Sequence, residues 1–200
     1  MRTATAVALE VAFAILAFGV RGYIQWRRTG STGFILPRLS APLLERLGAL
    51  LFILALAGLG VAPAIGIDVD LLAGPAWGVI GAVLAVAGVV LCLVAQLVMG
   101  DSWRIGVDES ETTDLVTEGL FAHVRNPIFT SMLVAAVGFA LLVPNLWSIG
   151  AVVALFAGLE LQVRFVEEPY LARSHGPAYA TYSSRAGRFL PGVGNAGGAA

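Results

Sequence analysis

The chain has 200 residues, 58% of them hydrophobic and 12% charged, about half the charged share of a soluble domain. The formal net charge is −1, and all twelve Lys/Arg positions are Arg. This composition excludes a soluble globular domain, and the scattered arginines form no basic face interleaved with aromatics for nucleic acid, so the chain reads as an integral membrane protein.

Five segments are apolar and long enough, or nearly so, to cross about 30 Å of hydrocarbon. The first, Thr3–Tyr23, is apolar apart from Glu10. Arg21, Gln25, Trp26, Arg27 and Arg28 follow it, which marks a retained transmembrane helix; a cleaved signal would carry its positive charge in front. Leu43–Ile65 and Ala76–Met99 come next, and the latter holds the lone Cys92 as a small buried side chain. Ile128–Val143 is short and ends at Pro144-Asn145, a turn signal that predicts a hairpin with the fifth span, Leu146–Val166. Pro169 is expected to end that helix near Glu168. A turn at His175-Gly176-Pro177 then precedes a short interfacial stretch in which Tyr179 and Tyr182 share a face. The expected fold is all-α, one domain over 1–191 with five transmembrane helices and a C-terminal helical segment, then a disordered Gly/Ala-rich tail over 192–200.

Arginine placement sets the expected topology. Arg21, Arg27, Arg28, Arg38 and Arg46 separate spans one and two, whereas Asp68 and Asp70 separate spans two and three. Arg104 and Arg125 precede span four, and Arg164, Arg173, Arg185 and Arg188 end span five and the tail. Eleven of the twelve thus fall on one side if the N-terminus is outside and the C-terminus cytoplasmic. The segment 100–124 carries Asp101, Asp108, Glu109, Glu111, Asp114 and Glu118, which read mostly as a solvated loop. Its apolar run Leu115-Val116-Thr117-Glu118-Gly119-Leu120-Phe121 is expected to fold back onto the protein.

Polar residues at the two ends of the last helices are the candidates for chemistry. Asn126-Pro127 is a helix start: Asn126 either caps span four or, with Arg125, turns a helix N-terminus into a site for a ligand carboxylate or phosphate. Spacings of three and four put Glu160, Arg164, Glu167 and Glu168 along one helical face, as a structural ion pair or as functional groups. Adjacent acids at a helix C-terminus oppose its dipole and call for a cationic ligand or an Arg. His175 is either solvated or a base, and Trp103-Arg104 reads as an interface anchor. Two His without ligand spacing and one buried Cys give no metal site, and phosphate-loop and dinucleotide glycine patterns are absent.

Taken in order, Leu115-Val116-Thr117-Glu118-Gly119-Leu120-Phe121, Arg125-Asn126-Pro127-Ile128-Phe129, Glu167-Glu168-Pro169-Tyr170-Leu171 and Gly176-Pro177-Ala178-Tyr179-Ala180-Thr181-Tyr182 form a series. It resembles the isoprenylcysteine carboxyl methyltransferase and phospholipid methyltransferase superfamily over about Trp103 to Pro191. The resemblance implies a pocket for S-adenosylmethionine, closed by the C-terminal segment. Leu115, Val116, Gly119, Phe121, His123, Arg125, Asn126, Pro127, Phe129, Glu168, Tyr179 and Tyr182 would bind the cofactor there. Glu167 and Glu168 match the family's paired acids, and Arg164 and Arg188 would orient an acidic acceptor, so Arg164, Glu167 and Glu168 are the expected catalytic group. Asn126 and Phe129 replace the family's His and Tyr, which removes a proton-transfer role from those positions. The implied acceptor is a lipophilic small molecule, a carboxylate or an isoprenoid- or lipid-like group, reached from membrane lipid without an obligate protein partner. Arg-only basic usage and compact size point to a prokaryotic plasma membrane. Two alternatives stay open: an NADPH-dependent reductase of sterol-reductase type, which needs basic residues for a 2′-phosphate, and a non-catalytic lipid-binding membrane protein.

Overall fold

In hydrocarbon each backbone N–H and C=O must find its partner inside the segment, so the apolar runs become helices. The computed structural model describes residues 2–65, 69, 72, 74–107 and 113–196; Asp68, Asp70, Asp108, Glu109 and Glu111 lie outside them. The helices are α1 (Arg2–Thr29, with a π-helical stretch Ile15–Val20), α2 (Leu43–Val61), α3 (Pro75–Met99), α4 (Pro127–Leu142), α5 (Leu146–Gln162) and α6 (Glu168–Arg185). No β-strand occurs among the described residues, only isolated bridges at Phe34–Ile105 and Val124–Gly187. Four helices are long and apolar enough to cross a membrane: Arg2–Thr29, Leu43–Val61, Pro75–Ser102 and Leu146–Arg185. The remaining apolar helix, α4, has 16 residues and so extends about 24 Å.

Helix ends alternate between two poles. At one, Arg2 donates to the carbonyls of Leu141 (2.5 Å) and Leu72 (3.2 Å). There Asn145 also caps α5 by accepting from Ser148 N (2.8 Å), and its amide donates to Ala62 O (2.7 Å) and Ile65 O (3.1 Å). This is a capping box that ties the residue 143–145 connection to the end of α2. The other pole gathers the end of α1, the start of α2, the end of α3, the start of α4 and all of α6. Arg21 and Gln25 reach the carbonyls of Gly100 and Asp101 there, which keeps α1 helical to Thr29, beyond the apolar stretch that ends at Tyr23.

Lipid gives no hydrophobic drive between helices, so close packing has to hold them together. Gly81, Ala85 and Gly88 of α3 lie against Ser131, Ala135 and Gly138 of α4. A Cβ on Gly88 would overlap the backbone of Ala135, and one on Gly138 the backbone of Ala85. α2 and α5 meet in the same way at Gly48 and Gly158. Large apolar side chains such as Ile53, Val79, Val83, Val153 and Phe156 point outward instead, as a lipid-facing surface requires.

Pro169 does not end the last helix. A π-helical turn, Val163–Glu167, joins α5 to α6, and the chain passes Pro169, directly after that turn, without leaving the helical region. The break comes at Gly176 (φ 48°, ψ −123°), a conformation open to glycine. The tail also departs from expectation. Arg188 N bonds Val193 O (2.8 Å) and Ala196 N bonds Ser183 O (3.0 Å), so residues 192–196 are tied down.

Replacing Gly88 or Gly138 by Val should therefore cost about 2 kcal/mol or more and lower the thermal midpoint in detergent. Gly150→Ala, where nothing lies within 4 Å of the added carbon, should leave it unchanged or slightly raised. Thermal unfolding of the three variants checks this.

Candidate active site

Two loops cross at the arginine-rich pole and form the floor of a cleft. Ile35 N bonds Ile105 O (2.8 Å) and Ile105 N bonds Gly33 O (2.7 Å). Gly106 (φ 92°) lies so close to the Ile35 carbonyl that a side chain has no room. Trp103, expected as an interface anchor, is only 1% exposed, with the Arg21 guanidinium 4.6 Å from its ring centroid. Arg104 donates to Tyr170 Oη (3.1 Å) and Thr113 Oγ1 (3.0 Å), joining the loop before α4 to α6.

Above this floor the chain on either side of Val124 pairs with the residues after α6. Arg125 N bonds Gly187 O (2.7 Å), Gly187 N bonds His123 O (3.1 Å) and Asn126 N bonds Arg188 O (3.2 Å). Asn126 makes no side-chain cap. Its amide donates to Arg188 O (3.0 Å), and Thr130 Oγ1 donates to Phe189 O (2.8 Å). The Arg125 side chain, 4% exposed, donates to the carbonyls of Ser183 (3.0 Å), Ala186 (2.5 Å) and Gly194 (3.0 Å) and to Glu168 Oε1 (2.8 Å). Arg188 grips the same carboxylate from the other side, Nε to Oε1 (2.8 Å) and Nη2 to Oε2 (2.9 Å). Glu168 is thus the hub of a two-arginine clamp.

The two adjacent acids, which directly follow the apolar stretch Leu146–Val166, have opposite characters. Burial pushes the Glu168 carboxyl up, but hydrogen bonds from Arg188 and Arg125, backed by their charges, hold it below the usual carboxylate range. Among the described residues Glu167 hydrogen-bonds Gln162 and has no arginine in ion-pair contact. Burial, with the Glu168 charge adding to it, raises Glu167 to about 7 against the pull of Gln162 and Arg104. Tyr179 is raised to about 12 and Tyr182 above its usual range, burial being the main cause for both, so both hydroxyls stay protonated. Tyr182 donates to Phe121 O (2.8 Å).

Of the residues singled out in the sequence, Leu115, Val116, Phe121, Arg125, Asn126, Pro127, Phe129, Glu167, Glu168, Tyr179 and Tyr182 line one cleft. Gly119 and His123 do not. Gly119 starts a 3₁₀ turn over Val98, and His123 is exposed and contributes its carbonyl. Arg164 is not part of the lining either. Its side chain is 52% exposed and paired with Glu160. The ion pair with Glu160, four residues back along the helix, holds its guanidinium outside the cleft. Arg188, expected to orient an acceptor, is spent on Glu168. Sequence reasoning missed Phe18, Met132, Tyr170 and Ile105 in the lining. Tyr170 could have been found from its place inside the Glu167–Leu171 motif; Phe18 and Met132 carry no signal beyond being apolar.

An apolar helical bundle with a polar, aromatic-walled cleft at its arginine-rich pole defines an integral membrane protein with a cleft between two helix ends. Residues 77–178, slightly more than half of the chain, match the family model for phospholipid methyltransferase, and the chain belongs to that family of membrane methyltransferases. Comparison with curated proteins returned no match.

Removing the hub should free the strap over 186–196. Glu168→Gln leaves buried Arg125 uncompensated, at a cost on the order of 3 kcal/mol, and should expose the strap to limited proteolysis at neutral pH. Because the folded pKa of Glu168 is depressed, its stabilisation is present above the ordinary carboxylate pKa and fades as pH falls below about 4.5. Wild-type strap cleavage should therefore rise in that acid window, and the Gln variant should lack the transition.

Proposed function

We propose that the protein transfers the methyl group of S-adenosylmethionine to a lipophilic acceptor, a carboxylate or another lipid-like group, at the cytoplasmic boundary of the membrane. The reading takes α1–α5 as five spans, α4 and α5 as a hairpin, the N-terminus outside and the cleft inside, in a prokaryotic plasma membrane. Eleven arginines at the cleft pole against Arg2 alone at the other support that orientation. Membrane lipid is the source of the acceptor, and no protein partner is required.

The observation that carries the proposal is Glu167. It is a carboxylate in an aromatic-lined cleft with no arginine against it, next to a second carboxylate that has two. A cationic ligand answers that imbalance. Glu167 would hold the cofactor's amino group, and the faces of Phe121, Phe129, Tyr179 and Tyr182 would shelter a cation and an adenine ring. Backbone N–H groups at Ile128 and Phe129, at the start of α4, suit its carboxylate. When bound, S-adenosylmethionine supplies an electrophilic methyl group on sulfur. A carboxylate acceptor is already anionic and needs no base, so the residues have to align it and exclude water. Asn126 fits that requirement, because its amide is committed to Arg188 O. A reductase is disfavoured: Arg125 and Arg188, the basic residues nearest the acids, are consumed by Glu168 and leave no guanidinium pair for a 2′-phosphate.

Calorimetry on detergent-purified protein should show micromolar binding of S-adenosylhomocysteine and none of NADPH; the reverse would sink the proposal. Affinity should rise about tenfold from pH 6 to pH 8 as Glu167 ionises. Glu167→Gln should weaken binding and flatten that dependence while the thermal midpoint holds. An unchanged pH profile in this variant would show the acid to be structural only.

A further inference from the structure

A carboxyl inside the bilayer is costly unless something answers it, and Glu10 of α1 has no answer among the described residues. No hydrogen bond or ion pair involves it among the described residues. The basic side chain on its side of α1, Arg2, donates to the carbonyls of Leu72 and Leu141. Glu10 is half-buried in the wall of a cavity that is otherwise apolar, with Phe13, Leu59 and Phe139 among its neighbours. That cavity is continuous in its lining with the cleft: Phe18 and Met132 belong to both. From Phe18 to Glu10 is eight residues along α1, about 12 Å.

We propose that this cavity receives the chain of the methyl acceptor, and that Glu10 hydrogen-bonds an uncharged oxygen, a hydroxyl or carbonyl, carried mid-chain about 12 Å beyond Phe18, where the cavity meets the cleft. Naming the occupant as the acceptor rests on the methyltransferase reading; the need for an oxygen rests on Glu10 alone. An ammonium would bring three N–H donors into a cavity that offers one carboxyl, leaving donors unpaired in a dry site. One hydroxyl or carbonyl is satisfied by one carboxyl. The acceptor class is thereby narrowed from any lipophile to a mid-chain oxygenated one.

Full-length protein in detergent is titrated with octadecanoate and with 12-hydroxyoctadecanoate. The wild type should prefer the hydroxy acid by about three- to tenfold, the worth of one hydrogen bond. Glu10→Gln, which can still bond a hydroxyl, should keep the preference. Glu10→Leu should abolish it by weakening the hydroxy acid alone, with octadecanoate affinity unchanged as the check on folding. Equal wild-type affinities, or a preference that survives Glu10→Leu, overturns the proposal. Loss in the Gln variant as complete as in the Leu variant overturns the uncharged partner. A Glu10-dependent preference supports the proposal even where S-adenosylhomocysteine fails to bind, a result that would remove the methyltransferase reading alone.

Discussion

The carboxylate of Glu168, shared between Arg125 and Arg188, is the contact on which the arginine-rich pole depends. It joins the loop before α4, the first turn of α6 and the strap after α6. Each of these would otherwise leave a charge or a row of backbone groups without partners at a membrane boundary. A two-arginine grip on one carboxylate is strong because it is charge-assisted, partly buried and bidentate on one side. It also occupies Arg125 and Arg188, so the neighbouring Glu167 is left with Gln162 and the charge of Arg104. One interaction fixes both the shape of the cleft and its electrostatic bias.

The rest of the fold serves to present that pole. Backbone-to-backbone contacts at Gly81–Gly138, Gly88–Ala135 and Gly48–Gly158 set the helix positions, and buried Gln96 of α3 adds a hydrogen bond to Ala17 O of α1 (3.0 Å). The Asn145 capping box ties down the far pole. The helix then runs through the π turn Val163–Glu167 into α6, which brings Glu167, Glu168, Tyr170 and Tyr179 to the cleft and leaves Arg164 half exposed and paired with Glu160.

Much of this was legible in the sequence. Hydropathy marks the helices to within a few residues, and the ordered Arg-Asn-Pro and Glu-Glu motifs locate the cleft. The illegible part has physical causes. Spacing groups Arg164 with the acids around it but does not say which one takes it up: it pairs with Glu160 and stays outside the cleft. Pro169 reads as a stop under the rule for a regular α-helix, yet a π turn precedes it and the helix continues to Gly176. A run of glycine and alanine predicts disorder, yet Arg125 and Ser183 give residues 192–196 fixed partners from far away in sequence. Which of two adjacent carboxylates is neutralised follows only from where Arg188 lands.

Hydrogen–deuterium exchange of the detergent-purified protein with and without S-adenosylhomocysteine addresses the cleft most directly. Binding should slow exchange in residues 113–129 and 163–190 and leave the middle of α2 untouched. Binding without protection in those two segments, or protection confined to other helices, would contradict the assignment of this cleft as the cofactor site.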